Sequence, residues 1–294
     1  MRWRNWGIVA LCLFGSPHAD ECTQGIASSP GGVSAARVAA LPDTSCGALL
    51  FELGTLEYGR GTFDLARDAF LAASGIWKDS MKVWNGLGLA SYRAKDYSRA
   101  ESALRNSLRL APRQKEVYSN LGLVFLAQTR YTDATAAFIA ALGLDPSYTE
   151  ARANLAYAYD LQGRADLAES EFRRILLQDA QNAAARYGLA VLFRKADRLD
   201  LASAQLDTAL AARPDYVDAR VERAFIALRR REYPGAVADF LHVLGKQPRH
   251  VQARYGLGLA YAFQRQWVAA QAQYESLAVV DTTYARRLRR VLSD

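Results

Sequence analysis

A small residue recurs at intervals of 34 along this chain, seven times without exception: Ala66, Ala100, Ala134, Ala168, Ala202, Ala236 and Ala270. Few features constrain a fold more tightly, because a strict interval marks one structural unit copied and stacked on itself. Other columns keep the same register. Four residues on stand Phe70, Leu104, Phe138, Phe172, Leu206, Phe240 and Tyr274. Twelve residues before each alanine come Gly54, Gly88, Gly122, Ala156, Ala190, Ala224 and Gly258. The residue ahead of each is Leu except in the sixth repeat, where Arg223 intrudes.

Each unit reads as two helices. In the third, Tyr118, Leu121, Gly122 and Phe125 have the i, i+3, i+4, i+7 spacing of one helical face, and Tyr131, Ala134, Phe138, Ala141 and Leu142 repeat it. The small residues let the two backbones approach while bulky neighbours fill the gap. Pro112, Pro146, Pro214 and Pro248 fall at the turn into the next unit, where proline stops one helix and suits the start of another.

This pattern resembles the tetratricopeptide repeat (TPR) family over about residues 47–282. The resemblance implies an all-α, right-handed solenoid of about seven helix-turn-helix repeats: 47–80, 81–114, 115–148, 149–182, 183–216, 217–250 and 251–284. Ala180 and Thr282 depart from it by replacing the inter-repeat proline, and Arg223 by replacing a core leucine, which leaves repeat six looser than its neighbours. Residues 283–294 suit the capping helix that a solenoid needs. There Leu288, Val291 and Leu292 would cover the last repeat while Arg286, Arg287, Arg289 and Arg290 face water; a basic tail gripping a membrane or an acidic partner is the other reading.

The N-terminus reads separately. "MRWRNW", "GIVALCLFG" and "SPHA" form a charged n-region, a short apolar run and a small-residue approach to "DE", the layout of a signal peptide over residues 1–19. An uncleaved anchor is the alternative. Lipidation at Cys12 is disfavoured, because Leu11 stands where the lipobox wants a small residue. Export, periplasmic or secreted, is therefore expected. Residues 20–46 form a Gly/Ser/Pro-rich segment containing Cys22 and Cys46. In an exported chain two cysteines suggest one disulfide, closing a loop of about 25 residues worth ~3 kcal/mol, with two free thiols the alternative.

The net charge of +7 falls to near +5 once Arg2 and Arg4 leave with the signal, and acids are interspersed throughout. A nucleic-acid binder concentrates basic residues on one face, so that class is not expected. Nor is an enzyme. No GxSxG, HExxH, CxxC or Walker-type loop occurs, and His242 and His250 have no second ligand at metal-binding spacing. "GLGLA" at Gly86 and Gly256 mimics a dinucleotide loop but lies at helical repeat positions. No cofactor or metal is expected, and membrane contact only indirectly or through partners.

By resemblance to the family, the first helices line a concave groove that receives a peptide or partner helix. Its residues here are Lys82, Asn85, Asn120, Asn154, Tyr157, Tyr187, Arg194, Glu222, Phe225 and Tyr255. Asn120 and Asn154 occupy equivalent sites in consecutive repeats, and an amide offers donor and acceptor together. They read either as rungs for a peptide backbone or as plain structural residues. The tyrosines supply contact area or pack between first helices. The carboxylate clamp of chaperone-binding members is absent, since Phe51, Thr55, Gly86, Glu116 and Asn120 hold its positions. One more column runs Leu50, Trp84, Tyr118, Arg152, Arg186, Arg220 and Arg254. Those arginines either receive an acidic partner or lay their stems on the preceding repeat. The function expected is a non-enzymatic scaffold for protein or peptide in envelope assembly or secretion, pilus or polysaccharide systems being the analogy. A carbohydrate or cell-wall binding module and an accessory subunit of an enzyme are the alternatives; the oligomeric state stays open.

Overall fold

The computed structural model describes residues 44–293. They form fifteen helices, with no strand among them. In chain order these are α1 (Thr44–Arg60), α2 (Phe63–Ile76), α3 (Met81–Arg93), α4 (Tyr97–Leu110) and α5 (Lys115–Ala127). Next come α6 (Tyr131–Leu144), α7 (Thr149–Leu161), α8 (Ala165–Gln178), α9 (Ala183–Lys195) and α10 (Leu199–Ala212). The last are α11 (Val217–Arg229), α12 (Tyr233–Lys246), α13 (Val251–Phe263), α14 (Trp267–Val280) and α15 (Thr282–Ser293). From α3 to α13 the odd-numbered helices are 13 residues long and begin 34 apart; those that follow them have 14. The expected helix pairs and the all-α class are therefore present.

Two compact units divide between Ala158 and Tyr159, inside α7. In the first, α1 packs on α2, α3 on α4 and α5 on α6, with α2 against α3 and α4 against α5. In the second, α8 meets α9, and the pairs α9/α10, α11/α12 and α13/α14 follow, with α15 lying on both α13 and α14.

The alanine column explains the close pairing. All seven alanines have no exposed surface at all. The glycines opposite are equally constrained: a Cβ at Gly54 would stand 2.9 Å from the Phe70 ring, and one at Gly122 2.5 Å from Phe138 Cε1. Phe138 and Phe240 are wholly buried, each worth ~2–3 kcal/mol of transfer free energy. At the C-terminal end Leu288 is fully buried beneath Gly258 and Ala285 nearly so, while Arg286, Arg289 and Arg290 are exposed. The amphipathic reading of α15 holds.

A second 34-residue series sits in the turn inside each pair. Gly61, Lys95, Thr129, Gly163, Asp197, Arg231 and Arg265 all have φ between 59° and 79°. Each closes a Schellman motif. In the second repeat Lys95 N–H donates to Tyr92 O at 3.0 Å and Asp96 N–H to Ser91 O at 2.8 Å, and the other six turns repeat this bonding. Five of the seven positions carry a side chain in the left-handed region, which costs L residues ~1–2 kcal/mol each. Sequence reading missed this column because its residue types do not repeat.

The arginine column resolves in favour of a structural role. Arg152 Nη2 donates to Pro146 O at 2.6 Å, Arg186 Nη2 to Ala180 O at 2.7 Å, and Arg220 Nη2 to Pro214 O at 2.7 Å; Arg254 does the same to Pro248 O. Each guanidinium thus reaches back six residues to a carbonyl of the inter-repeat turn. A second nitrogen of Arg186, Arg220 and Arg254 binds Gln205, Asp239 and Gln273 on the partner helix. In repeat two, Trp84 Nε1 makes the same reach to Lys78 O at 2.7 Å. These arginines clasp turns.

Arg223 takes the leucine's place as an ion-paired residue. Its guanidinium spans Asp239 and Asp207, and Val221, Ala224, Phe240 and Val243 around it remain buried. Cys46 is buried and disulfide-bonded. Its expected partner Cys22, the signal segment 1–19 and most of segment 20–46 lie outside the described residues.

Candidate functional site

The ten expected groove residues lie on the odd-numbered helices from α3 to α13, five in each unit. In the first unit Lys82 is exposed on the first turn of α3, Asn85 is half-buried on the same helix, and Asn120 is half-buried on α5. Asn154 is half-buried on α7, and Tyr157 is 52% exposed one turn further along.

The asparagine rungs are governed from the neighbouring helix. Their column runs Gly86, Asn120, Asn154, Gly188, Glu222 and Gly256, each sixteen residues after the bulky position of the preceding repeat. A Cβ at Gly86 would come 2.7 Å from Phe70 Cε1, and one at Gly188 or Gly256 would overlap the Phe172 or Phe240 ring. Where the preceding position is Leu104 or Leu206 instead, a larger residue follows, Asn120 or Glu222. Phe138 with Asn154 is the exception. Ring size in one repeat thus matches side-chain size in the next in five of the six pairs, a packing rule that accounts for Asn120 and leaves Asn154 outside it.

The second unit gathers four of its five residues, Tyr187 lying outside the lining. Arg194 on α9, Glu222 and Phe225 on α11, and Tyr255 on α13 line one hollow of about 820 Å³. Arg194 Nε faces Glu222 Oε1 as an ion pair between α9 and α11. The Phe225 ring stands edge-on to Phe240, centroids 5.1 Å apart, which anchors the floor. Val221, Leu228 and Leu259 extend that apolar floor. Tyr255 meets Tyr284 of α15 at 5.2 Å, edge to face. Tyr187 meets Tyr216 with centroids 5.3 Å apart and the rings tilted at 45°. Burial first, then the negative Glu222 and Asp218, push its phenol up to about 12, so its hydroxyl keeps its proton at neutral pH. Burial also raises the Tyr255 phenol.

Part of the wall comes from residues outside the expected set. Arg231 sits on the left-handed turn after α11, Tyr233 opens α12, and Phe263 closes α13, half exposed. Tyr233 and Phe263 meet at 5.8 Å. Tyr284 and Arg287 come from α15, with the Arg287 guanidinium 5.4 Å from the Tyr284 centroid. One signal for the Tyr284 position was present: Tyr148, Tyr216 and Tyr284 stand 68 residues apart, and each ring meets the preceding odd-numbered helix, at Lys115, Tyr187 and Tyr255.

Among the described residues no group of three or more His, Cys, Asp and Glu side chains is placed to hold a metal. No described helix is long and apolar enough to cross a membrane.

A family model described as the cilia and flagella-associated protein 70 C-terminal domain matches residues 33–223, and a tetratricopeptide repeat model matches residues 222–285. No curated protein matches the sequence. Among solved structures the chain is similar to a tetratricopeptide repeat protein from Parabacteroides merdae, at 16% identity and a TM-score of 0.67, covering 84% of this chain and 99% of that one. It is similar to pilF of Pseudomonas aeruginosa at 18% identity and a TM-score of 0.57, over 70% of this chain and 94% of that one. PilW, a widely conserved type IV pilus biogenesis factor, matches at 19% identity and a TM-score of 0.60, over 70% of this chain and 96% of that one.

Proposed function

Because this chain belongs to the tetratricopeptide repeat family, we propose that it is a non-enzymatic scaffold holding a protein or peptide segment in the hollow between α9, α11, α13 and α15. The observation that carries this reading is the hollow itself, about 820 Å³ with an apolar floor anchored by Phe225 and a wall of tyrosine and arginine. Aromatic and arginine side chains around a desolvated pocket are what protein interfaces use as anchors. The half-exposed Phe263 ring at its edge would be covered by the bound segment.

The scaffold acts in the cell envelope, periplasmic or secreted. The N-terminal charged, apolar and small-residue layout supports export, as does Cys46 in a disulfide, a bond that persists in oxidising compartments. An assembly role, as in pilus biogenesis, is an analogy with PilW at the level of fold.

Site-specific photo-crosslinking in the native cell tests the site. A crosslinking side chain at Phe263 should trap a protein or peptide that mass spectrometry identifies, while one at Leu177, which is 86% exposed outside the hollow, should not. Equal trapping at both positions, or none at Phe263, would remove the hollow as the binding site.

A further inference from the structure

The charge around the hollow selects among peptides. Four guanidinium groups line it, from Arg194, Arg229, Arg231 and Arg287, against one carboxylate, Glu222. Two are already committed: Arg194 faces Glu222, and Arg229 Nη2 donates to Asp197 Oδ1 at 2.5 Å. Arg231 and Arg287 are exposed and have no carboxylate partner among the described residues; the Arg287 guanidinium lies over the Tyr284 ring. Elsewhere Arg105, Arg130, Arg173, Arg174 and Arg230 each hold an acid, while Arg113 and Arg249 have none among the described residues; of the four guanidinium groups that line the hollow, Arg231 and Arg287 are the uncommitted pair. The half-exposed Phe263 ring and the Leu259 side chain line the same hollow as the two uncommitted cations.

We infer that the hollow takes an acidic peptide segment carrying a bulky apolar side chain. The apolar residue enters over Phe225, Leu259 and Phe263, and flanking carboxylates meet Arg231 and Arg287. This rests on the proposed scaffold reading and names its ligand class. The arginines are suited to it, since each offers a planar fork of donors matching a carboxylate, and rim charges act chiefly on selection and on-rate. A basic segment would bring like charges together without gaining a partner, because Glu222 is already paired.

The test uses the full chain and a display library of random peptides, selected at roughly physiological ionic strength. Selected peptides should be enriched in Asp and Glu around an aromatic or large aliphatic residue. Synthetic copies should bind about tenfold or more weakly to Arg231→Glu/Arg287→Glu. Both residues are exposed, so this variant should keep the wild-type circular dichroism spectrum and melting curve. Lysine versions of the same peptides should bind the variant better than the wild type. Peptides that lose binding with Phe263→Ala but show no acidic bias, or ignore the charge reversal, overturn the ligand class and leave the site standing. Peptides indifferent to Phe263→Ala and to the charge reversal, or no enrichment at all, overturn the site and the class together.

Discussion

Arg223 meets Asp239 as a two-point pair, Nε on Oδ2 and Nη2 on Oδ1, both at 2.8 Å. The same carboxylate accepts from Arg220 Nη1 at 3.1 Å, so one acid on α12 holds two arginines of α11. Asp239 keeps only 10% of its side chain exposed and Arg223 28%. Arg223 stands in the leucine column, and its pKa is raised chiefly by the hydrogen bond to Asp239. The pair is what makes a charge tolerable at a core position.

Removing the acid should therefore hurt more than removing the intruding base. Asp239→Ala leaves two partly buried guanidinium groups without it and should cost about 2–3 kcal/mol, less than a fully buried pair because Asp207 still reaches Arg223. Arg223→Leu restores the column residue, leaves Asp239 its bond from Arg220, and should be near neutral or stabilising. Urea melts of the two variants and their combination check this. Equal losses in both single variants would contradict it.

The left-handed turns offer a test of opposite sign at two positions. Thr129, at φ 60°, is β-branched in a region that such residues avoid, so Thr129→Gly should stabilise by about 1 kcal/mol even after glycine's extra chain entropy. Gly163, at φ 74°, should lose about 1 kcal/mol as Gly163→Ala. Thermal melts of the two proteins should shift in opposite directions.

Gly256 and Phe240 should behave as one unit. Gly256→Asn places a side chain into the Phe240 ring and should cost about 2–3 kcal/mol by overpacking. Adding Phe240→Leu recreates the Leu104/Asn120 pairing already present in this chain and should recover much of that loss. A double-mutant cycle should return a favourable coupling of about 1–2 kcal/mol, whereas additivity would dismiss the packing rule.

Acid should weaken the third repeat through Asp145. The Lys115 ammonium at 2.5 Å, followed by hydrogen bonds from Ser147, lowers its carboxyl to about 2. A depressed folded value means the contribution is present above the unfolded pKa of about 4 and is lost as pH falls toward 2. Asp145→Asn should melt below the wild type at pH 7 and converge with it near pH 2. A gap that stays constant over that interval would rule the linkage out.

The alanine and glycine columns were legible in the sequence because close helix approach tolerates few residue types. Ala66 and its six counterparts repeat as identity, and identity can be read. The left-handed turns repeat as backbone conformation, satisfied alike by Gly61, Lys95 and Asp197, so no letter betrays them. The same holds for the turn clasp, which Trp84 Nε1 performs as Arg186 does. Arg194, Glu222, Phe225 and Tyr255 could be placed on first helices from register alone. Arg231 and Arg287 could not, because one projects from a turn and the other from the cap, where repeat numbering stops. Lys82, Asn85, Asn120, Asn154 and Tyr157 were selected by the same register; of these, the rule linking Phe70 to Gly86 accounts for Asn120 alone on packing grounds.

The match between an aromatic ring and the absent side chain that follows it also bears on how such a chain can be cut and rejoined. A crossover placed at an inter-repeat turn separates Phe240 from Gly256 and sets a ring against whatever the donor supplies. Placed in the short bend within a helical pair, it carries both halves across together. The natural cassette for recombination, by this reasoning, starts at a second helix and ends with the first helix of the repeat after it, straddling the boundary that the sequence period draws.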